Sequence, residues 1–253
     1  MIHVALLGFG VVGSGTAEVL TQNQSIIEKK IGQAVNIKYI LDLRDFPDSP
    51  FADRIVHDFS IIANDPQVSV VAEMMGGSHP AYEFSVACME AGKSVVTPNK
   101  NLISACYGEL MQTAKENGAE LRFTPAAGGG IPWLYSLLRT RRTDNICEVR
   151  GIVNGTCNFI LDAMYDSGAD FGEMLAEAQA LGYAEANPAA DIEGTDTLRK
   201  TVISSNLAFG TVIEESEVPC YGIDTISAAD IAYLKEKGLV SKLMMNSKKE
   251  GDV

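Results

Sequence analysis

Short apolar runs alternate with segments of helical periodicity through the first half of the chain. Ile2–Leu7 is an apolar run that predicts a buried strand. The next segment predicts a helix, because its apolar residues recur at helical spacing, at Val19, Leu20, Ile26, Ile27 and Ile31. The alternation continues through VNIKYILDLRDF, SVVAEMMGG, PAYEFSVACMEAG, SVVTPNK, LISACYGELMQTAKENG and AELRFTPAA. Repeated strand–helix units of this size predict an α/β fold with a parallel, doubly wound sheet.

A different pattern begins after the glycine run Gly128–Gly130. This run leads to a helix that we expect to begin near Pro132, since proline suits the first helical position. Next, NICEVRGIVNGTCNFIL predicts a strand and a turn into a helix, and DFGEMLAEAQALGYAE predicts an amphipathic helix that ends at Gly182. The change of pattern predicts a second, α+β domain after the glycine connector.

Composition and charge narrow the classes of function. The 253 residues are 46% hydrophobic and 21% charged, an ordinary globular mixture with enough chain for one or two domains. The net charge of -13 disfavours binding to nucleic acids and to anionic membranes. No basic-then-apolar leader precedes MIHVALLGFG, and no apolar run reaches the about 20 residues needed to cross a bilayer. We therefore expect a cytoplasmic protein whose partners are neither nucleic acid nor membrane.

The cysteines are scattered, and none belongs to a CxxC pair; they are Cys88, Cys106, Cys147, Cys157 and Cys220. An odd, dispersed set predicts reduced thiols in a cytosolic protein and not a disulfide or zinc framework. Cys157, beside Asn158, is a candidate nucleophile. All three histidines lie in the N-terminal third, however, so catalysis by this thiol is disfavoured.

A glycine motif follows the first strand directly. Gly8, Gly10 and Gly13 form GxGxxG between the predicted strand and the predicted helix. Gly8 permits the tight turn, Gly10 lets the backbone approach a pyrophosphate, and Gly13 lets the helix pack closely on the strand. The anion would lie at the helix N-terminus, where unpaired amides favour negative charge. In this context the motif predicts a Rossmann-type, dinucleotide-binding domain, with a merely glycine-rich turn as the alternative.

Further candidates stand at the carboxyl ends of the predicted strands, where ligands bind in such sheets. Asp42 would accept the ribose hydroxyls of NAD, whereas Arg44 would pair with the 2′-phosphate of NADP. Both are present, so the cofactor preference stays open, and an ordinary solvated pair is the alternative. The ends of two later strands add Gly76, Pro98, Asn99 and Lys100.

Acidic residues gather between Gly182 and Lys200, in GYAEANPAADIEGTDTLRK. The carboxylates are those of Glu185, Asp191, Glu193 and Asp196. Pro188 and Gly194 interrupt any single regular element, so we expect a turn that leads into a helix. Asp196 and Lys200 are four positions apart and share one face of that helix. Taken alone, such a pair is most often a surface salt bridge.

Several motifs in fixed order resemble one family. GFGVVG, VVTPNK, GGGIP, GIVNGTCNFIL, EAQALGYAE, NPAADIEGTD and LRK together resemble homoserine dehydrogenase, from Ile2 to about Leu243. The resemblance implies interconversion of aspartate 4-semialdehyde and homoserine with NAD or NADP, in the biosynthesis of threonine and methionine. It implies a dinucleotide-binding domain over 1–128, a substrate-binding and dimerisation domain over 129–228, and a segment over 229–253 that returns toward the first domain. It also implies a homodimer.

The resemblance assigns a role to individual residues. Lys200 would donate a proton to the substrate oxygen, and Lys100 would approach both nicotinamide and substrate. Glu185, Asp196 and Asp191 would bind the amino-acid substrate. The cofactor residues would be Gly8, Phe9, Gly10, Val11, Val12, Gly13, Arg44, Gly76, Pro98, Lys100 and Gly182. A monovalent cation, commonly sodium, would be bound by the backbone carbonyls of Thr124, Ala127, Gly129 and Ile131.

The chain departs from the family pattern in a few places. Thr124 stands where the family has a glutamate, Pro98 where alanine is common, and Cys157 where threonine is common. The chain stops at NSKKEGDV, before the further strands of longer relatives, so we expect a C-terminally short member. Two alternatives stay open: a non-catalytic relative that binds a dinucleotide or a partner subunit, and a dehydrogenase for another amino-acid aldehyde.

Overall fold

A computed structural model describes residues 1–251, and the chain divides into two compact units. The first unit is Met1–Trp133 and the second begins at Leu134. The division therefore lies a short way beyond the boundary expected between residues 128 and 129. Within the described residues, no helix is long and apolar enough to span a membrane.

The first unit consists of strands and helices in alternation. Its strands are β1 (Ile2–Leu7), β2 (Val35–Leu41), β3 (Ile55–Val56), β4 (Val68–Glu73), β5 (Ser94–Val96) and β6 (Leu121–Arg122). Its helices are α1 (Val11–Gln22), α2 (Gln24–Ile31), α3 (Ser60–Ala63), α4 (Ala81–Glu90) and α5 (Lys100–Glu116). Of these, β3 and α3 are elements that the apolar pattern did not predict.

The strands of the first unit form one parallel sheet. Among the described residues its order is β3-β2-β1-β4-β5-β6, and every neighbouring pair is parallel. This is the doubly wound order of dinucleotide-binding folds, so the predicted fold class is confirmed. Because β1 lies between β2 and β4, its residues from Val4 to Leu7 are buried. The carboxyl ends of these strands share one edge of the sheet.

The helical segment after the glycine motif differs from its prediction. It is divided at Asn23, whose amide group bonds back to the carbonyl of Val19, so two helices replace one. Val19 is 56% exposed and Ile26 is 55% exposed, although helical spacing predicted both for a buried face. The buried residues of α1 are Gly13 and Ala17. Small residues face the sheet because the helix start packs directly on the β1 turn.

The second unit has helices around a small sheet. Its helices are α6 (Trp133–Thr140, which begins at the division), α7 (Gly155–Ser167), α8 (Phe171–Ala180), α9 (Ala189–Ile192), α10 (Thr195–Phe209) and α11 (Ala228–Glu236). Its strands are β7 (Glu148–Gly151) and β8 (Met245–Lys248), which pair antiparallel. The core lies between α7 and α8, with Ile160, Leu161 and Met164 at its centre.

The last described elements belong to this second unit. Ile231 of α11 is buried in the core around α7, and β8 pairs with β7. The predicted return of residues 229–253 toward the first unit stays a prediction.

Two glycines bring backbone against backbone at the start of α10. A side chain at Gly194 would lie 2.7 Å from the carbonyl oxygen of Tyr221, and one at Gly222 would overlap the carbonyl of Ile192. Gly194 also has a φ of 88°, which disfavours other residues. The Ile223 amide donates to the Ile192 carbonyl at 2.7 Å. We call the segments 192–194 and 221–223 the glycine clamp.

Candidate active site

The glycine motif forms a cradle at the N-terminus of α1. Gly8 has a φ of 94°, and a Cβ there would lie 2.8 Å from the Met74 carbonyl oxygen. A Cβ on Gly13 would overlap the Gly8 carbonyl, whereas the position beside Gly10 is open. Within the described structure, no side chain caps α1 and its first turn holds no acidic residue. These features fit a pyrophosphate on the helix amides.

A cavity of about 590 Å³ lies beside this cradle, within the first unit. Its walls come from the glycine turn, the ends of β2 and β4, and the loop before α4; they include Gly8, Gly10, Asp42, Arg44, His57 and Gly76. The polar groups lie around Asp42, whereas Met74, Phe59 and Phe84 give an apolar wall. A cavity of this size and mixed lining suits a nucleotide.

The carboxylate of Asp42 is saturated with hydrogen bonds. One oxygen accepts from the Arg44 amide at 3.0 Å and from its Nε at 2.9 Å. The other accepts from the Phe9 amide at 2.8 Å and from Arg44 Nη2 at 3.0 Å. A carboxylate has about four acceptor positions, and these donors fill them. The Arg44 side chain and these amide donors hold the pKa of Asp42 far below its usual range.

His57 adds a second basic group to the same edge. Its Nδ1 lies 2.7 Å from the Asp42 carbonyl oxygen, and its Nε2 lies 3.0 Å from a carboxylate oxygen of Asp45. Both neighbours can only accept, so the arrangement suits a ring protonated on both nitrogens. The carbonyl of Asp42 is the largest cause that raises the pKa of His57, and Asp45 raises it further.

A buried carboxylate joins the ends of β4 and β5. Glu73 is fully buried, and one of its oxygens accepts from the Met75 amide at 2.7 Å. Its other oxygen accepts from the Thr97 hydroxyl at 2.6 Å. Asn99 Nδ2 donates to the Gly77 carbonyl at 2.6 Å and lies 3.4 Å from Glu73. One side chain therefore connects the loops that carry Gly76 and Pro98.

The same network fixes the start of α5. Asn99 is the N-cap, and its side-chain oxygen accepts from the Leu102 amide at 3.1 Å. Its own amide donates to the Thr97 hydroxyl at 2.9 Å. Lys100 is the first residue of the helix, so its backbone position follows from these contacts.

A second cluster lies in the second unit, at the starts of α7 and α10. Lys200 Nζ lies 2.7 Å from Asp196 Oδ2 and donates to the Val153 carbonyl at 2.6 Å. Asn154 caps α7 through its oxygen, and its Nδ2 donates to Asp191 at 2.7 Å and to Asp196 at 2.9 Å. Asn154 and Asp196 are buried. A single amide therefore joins two carboxylates, and one of them, Asp196, in turn holds the ammonium of Lys200.

Other predicted residues of this unit lie outside that cluster. Glu185 is exposed on the turn after α8, where its backbone carbonyl accepts from Gln179 Nε2 at 3.1 Å. Gly182 has a φ of 80° and ends α8, since its amide bonds to the Gln179 carbonyl. Tyr183 stacks on Phe159 with ring centroids 4.6 Å apart, which fixes this turn on α7.

The predicted cation ligands form a tight turn in the first unit. Thr124–Ala126 is one turn of 3₁₀ helix, and Gly129 has a φ of 55°. The Ile131 carbonyl accepts from the Trp133 amide at 2.7 Å, which leaves its second lone pair for an ion. Cation binding by these carbonyls stays a prediction.

The cysteines are free thiols. Cys157 is fully buried in the core of the second unit, and its Sγ lies 3.1 Å from the Asp191 carbonyl. Burial, more than the nearby carboxylates, raises its pKa to about 12. A thiol that stays protonated is a poor nucleophile, consistent with the expectation from the sequence.

Comparison with known proteins decides the family. Residues 8–124 match the family model for the homoserine dehydrogenase NAD-binding domain, and residues 132–250 match the homoserine dehydrogenase model. The homoserine dehydrogenase of Corynebacterium glutamicum is 39% identical over 96% of this chain. The chain belongs to the homoserine dehydrogenase family. This confirms the resemblance carried by the sequence motifs.

Solved homoserine dehydrogenases have the same fold. The enzyme from Thiobacillus denitrificans matches 99% of the chain with a TM-score of 0.91 and 35% identity. That from S. aureus matches 100% of the chain with a TM-score of 0.87 and 34% identity. The chain covers 59% and 62% of these two structures, and 55% of the C. glutamicum protein. It thus spans little more than half the length of these family members.

Sequence reasoning missed three polar residues of these sites: Glu73, Thr97 and Asn154. Two of them had a signal in the sequence. Glu73 is a carboxylate at the end of an apolar strand, and Asn154 precedes a predicted helix as a capping residue would. Their partners lie 24 to 42 positions away in the chain, which no local pattern reveals.

Proposed function

We propose that this homoserine dehydrogenase family member interconverts aspartate 4-semialdehyde and homoserine with a nicotinamide dinucleotide. The observation that carries the proposal is the cluster of Asp191, Asp196 and Lys200 on Asn154. An amino-acid aldehyde has an ammonium, a carboxylate and a carbonyl oxygen. The cluster offers anionic groups for the substrate ammonium and a cationic proton donor for its carbonyl oxygen.

The roles follow from the chemistry of each group. The bound dinucleotide supplies hydride to the aldehyde carbon. Negative charge then develops on the carbonyl oxygen, and the Lys200 ammonium stabilises it and gives up a proton. In the proposal Asp191, Asp196 and Glu185 bind the substrate ammonium, while Lys100 lies near the nicotinamide. Among the described residues, Asp196 and the Val153 carbonyl take two of the three hydrogens on Lys200 Nζ, and the third serves the substrate.

The cradle residues would hold the dinucleotide. Gly8, Phe9, Gly10, Val11, Val12 and Gly13 surround the pyrophosphate in this proposal, and Gly76, Pro98, Lys100 and Gly182 complete the set. NADP is favoured over NAD at the adenosine end. The support is the saturated Asp42 carboxylate, which has no acceptor position left for ribose hydroxyls, beside the exposed Arg44 guanidinium.

A direct assay tests the proposal. The purified chain is mixed with aspartate 4-semialdehyde and NADPH, and with NADH in parallel, while absorbance of the reduced cofactor is followed. Turnover with faster use of NADPH is the expected result. Binding of NADPH without turnover would support a non-catalytic relative instead, and turnover confined to other amino-acid aldehydes would change the substrate.

Three further properties belong to the proposal. Sodium binds the carbonyls of Thr124, Ala127, Gly129 and Ile131, so turnover in sodium chloride exceeds that in choline chloride.

The chain forms a homodimer through its second unit. Among the described residues β7 and β8 pair only with each other, which leaves two open strand edges. Light scattering measures the mass. Free thiols favour the cytoplasm as its location.

A further inference from the structure

The Glu73 carboxylate is fully buried. Its burial costs free energy unless its two oxygens accept hydrogen bonds. Its three donors are the Met75 amide, the Thr97 hydroxyl and the Asn99 amide group, all of them neutral. Burying a charge among neutral donors is expensive, and a neutral side chain of similar volume would fill the same space at less cost. A carboxylate has one advantage over such a residue, because both of its oxygens accept.

Those two oxygens act on two different loops. The Met75 amide immediately precedes Gly76, and Thr97 immediately precedes Pro98. Asn99 closes the connection, since its Nδ2 bonds to Gly77 on the first loop and its oxygen caps the helix that begins at Lys100. Glu73 does not line the cavity itself, whereas Met75 and Gly76 do. Its influence on a ligand would therefore pass through the loops.

We infer that Glu73 is a positioning residue that sets the Gly76 loop and the Pro98–Lys100 segment in one arrangement for the nicotinamide half of the cofactor. The inference rests on the proposed function, because it assumes that these segments meet a dinucleotide. It assigns no contact between Glu73 and the ligand. The adenosine half, beside Asp42 and Arg44 at the end of β2, shares only the Met75–Gly76 wall with this network, so we expect it to depend less on this carboxylate.

The test compares a whole and a half ligand on Glu73→Gln. Glutamine keeps the volume but offers one acceptor oxygen, so either the Met75 amide or the Thr97 hydroxyl loses its partner. Binding of NADPH and of 2′,5′-ADP, which lacks the nicotinamide half, is measured by calorimetry. We expect NADPH to bind about tenfold more weakly, the loss for one charged hydrogen bond. Binding of 2′,5′-ADP should stay within about twofold.

Turnover gives a second readout that general damage would not reproduce. In Glu73→Gln, kcat should fall while the KM for aspartate 4-semialdehyde stays near that of the unchanged chain. Glu90 is an exposed acid at the end of α4. Glu90→Gln removes the same charge and should change the binding of neither NADPH nor 2′,5′-ADP. Thr97→Val keeps the carboxylate but removes one of its donors, together with the acceptor of the Asn99 backbone amide. It should therefore reproduce the selective loss, even if Glu73→Gln fails to fold.

Several results would overturn the inference. Equal weakening of NADPH and 2′,5′-ADP would reduce Glu73 to a general structural role, and unchanged binding of both would remove any role. If both Glu73→Gln and Thr97→Val fail to fold, the network serves stability alone. If the unchanged chain binds neither ligand, the proposed function fails together with the inference. If it binds both and turns over while Glu73→Gln shows no selectivity, only the inference fails.

Discussion

Helices α5 and α10 each carry one of the proposed catalytic lysines, but they position it by different means. Lys100 is the first residue of α5, and its place follows from Asn99 and the buried Glu73 behind it. Lys200 lies inside α10, and its ammonium is held directly by Asp196 and the Val153 carbonyl. The network sets the backbone of the first lysine, whereas two acceptors hold the ammonium of the second. The first arrangement spreads the effect of a change over two loops, while the second confines it to one group.

The largest effect should come from the side chain that is held directly. Lys200→Ala removes the proposed proton donor, so kcat should fall by about 10²–10⁴-fold, the usual contribution of a general acid. NADPH affinity should not change, because Lys200 is not among the residues proposed to hold the dinucleotide. Stopped-flow and steady-state assays measure kcat, and calorimetry measures NADPH affinity.

Two further variants serve as controls for the Lys200→Ala result. Lys200→Arg keeps the positive charge but cannot release a proton, so it should remain as slow as the alanine variant. Lys29→Ala, on the exposed part of α2, should leave both quantities unchanged. Activity of Lys200→Ala within tenfold of the unchanged chain would contradict the assignment of the proton donor.

The two capping asparagines give the closest matched pair. Asn154→Ala and Asn99→Ala each remove an N-cap, and each should lower the free energy of unfolding by about 1 kcal/mol. Their effects on ligands should diverge. Asn154→Ala releases Asp191 and Asp196, so the KM for aspartate 4-semialdehyde should rise by about tenfold. Asn99→Ala should instead weaken NADPH binding.

Denaturant titration, steady-state kinetics and calorimetry on the same preparations separate these quantities. If both variants change the same ligand constant, the two regions do not have the separate roles proposed for them.

A smaller change is expected at the edge of the nucleotide cavity. Arg44→Ala removes a side chain that is 64% exposed, so NADP should bind only about fivefold more weakly, as for a screened ion pair. The same change frees acceptor positions on Asp42, and NAD binding should improve. Calorimetry with both nucleotides measures the ratio. Equal losses for the two would contradict a role in selecting the 2′-phosphate.

The smallest effect concerns the protonation of His57. Its raised pKa means that its contacts stabilise the fold below the unfolded value of about 6.5 and that this stability is lost as pH rises through the folded value. Asp45→Asn should lower the pKa of His57, because it replaces a carboxylate partner by a neutral amide. NMR titration of the His57 ring protons measures this pKa in the unchanged chain and in Asp45→Asn. A His57 pKa below 6.5 in the unchanged chain would contradict the geometry.

The sequence predicted what depends on short spacing. The alternation of apolar runs and GxGxxG predicted the doubly wound sheet, and the four-residue spacing of Asp196 and Lys200 predicted a shared helix face; their charged atoms lie 2.7 Å apart. It failed where packing overrides periodicity. The apolar residues at Val19 and Ile26 predicted one buried helix face, but close packing of Gly13 on the β1 turn selects a different face.

The rest depends on the topology of the sheet and the helices. Glu73 meets Thr97 because β4 and β5 are neighbours in the sheet, and Asn154 meets Asp196 because the starts of α7 and α10 converge. No periodicity within a single element contains such pairs. Polar residues that join distant segments therefore became visible only in three dimensions.

The glycine clamp has a consequence for how this protein can change over time. Because the carbonyl groups of Tyr221 and Ile192 lie against Gly194 and Gly222, main-chain contact fixes the first turn of α10 more directly than side-chain packing does. Substitution of nearby side chains should therefore shift the position of the Lys200 ammonium little. Replacement of either glycine would move that helix as a whole.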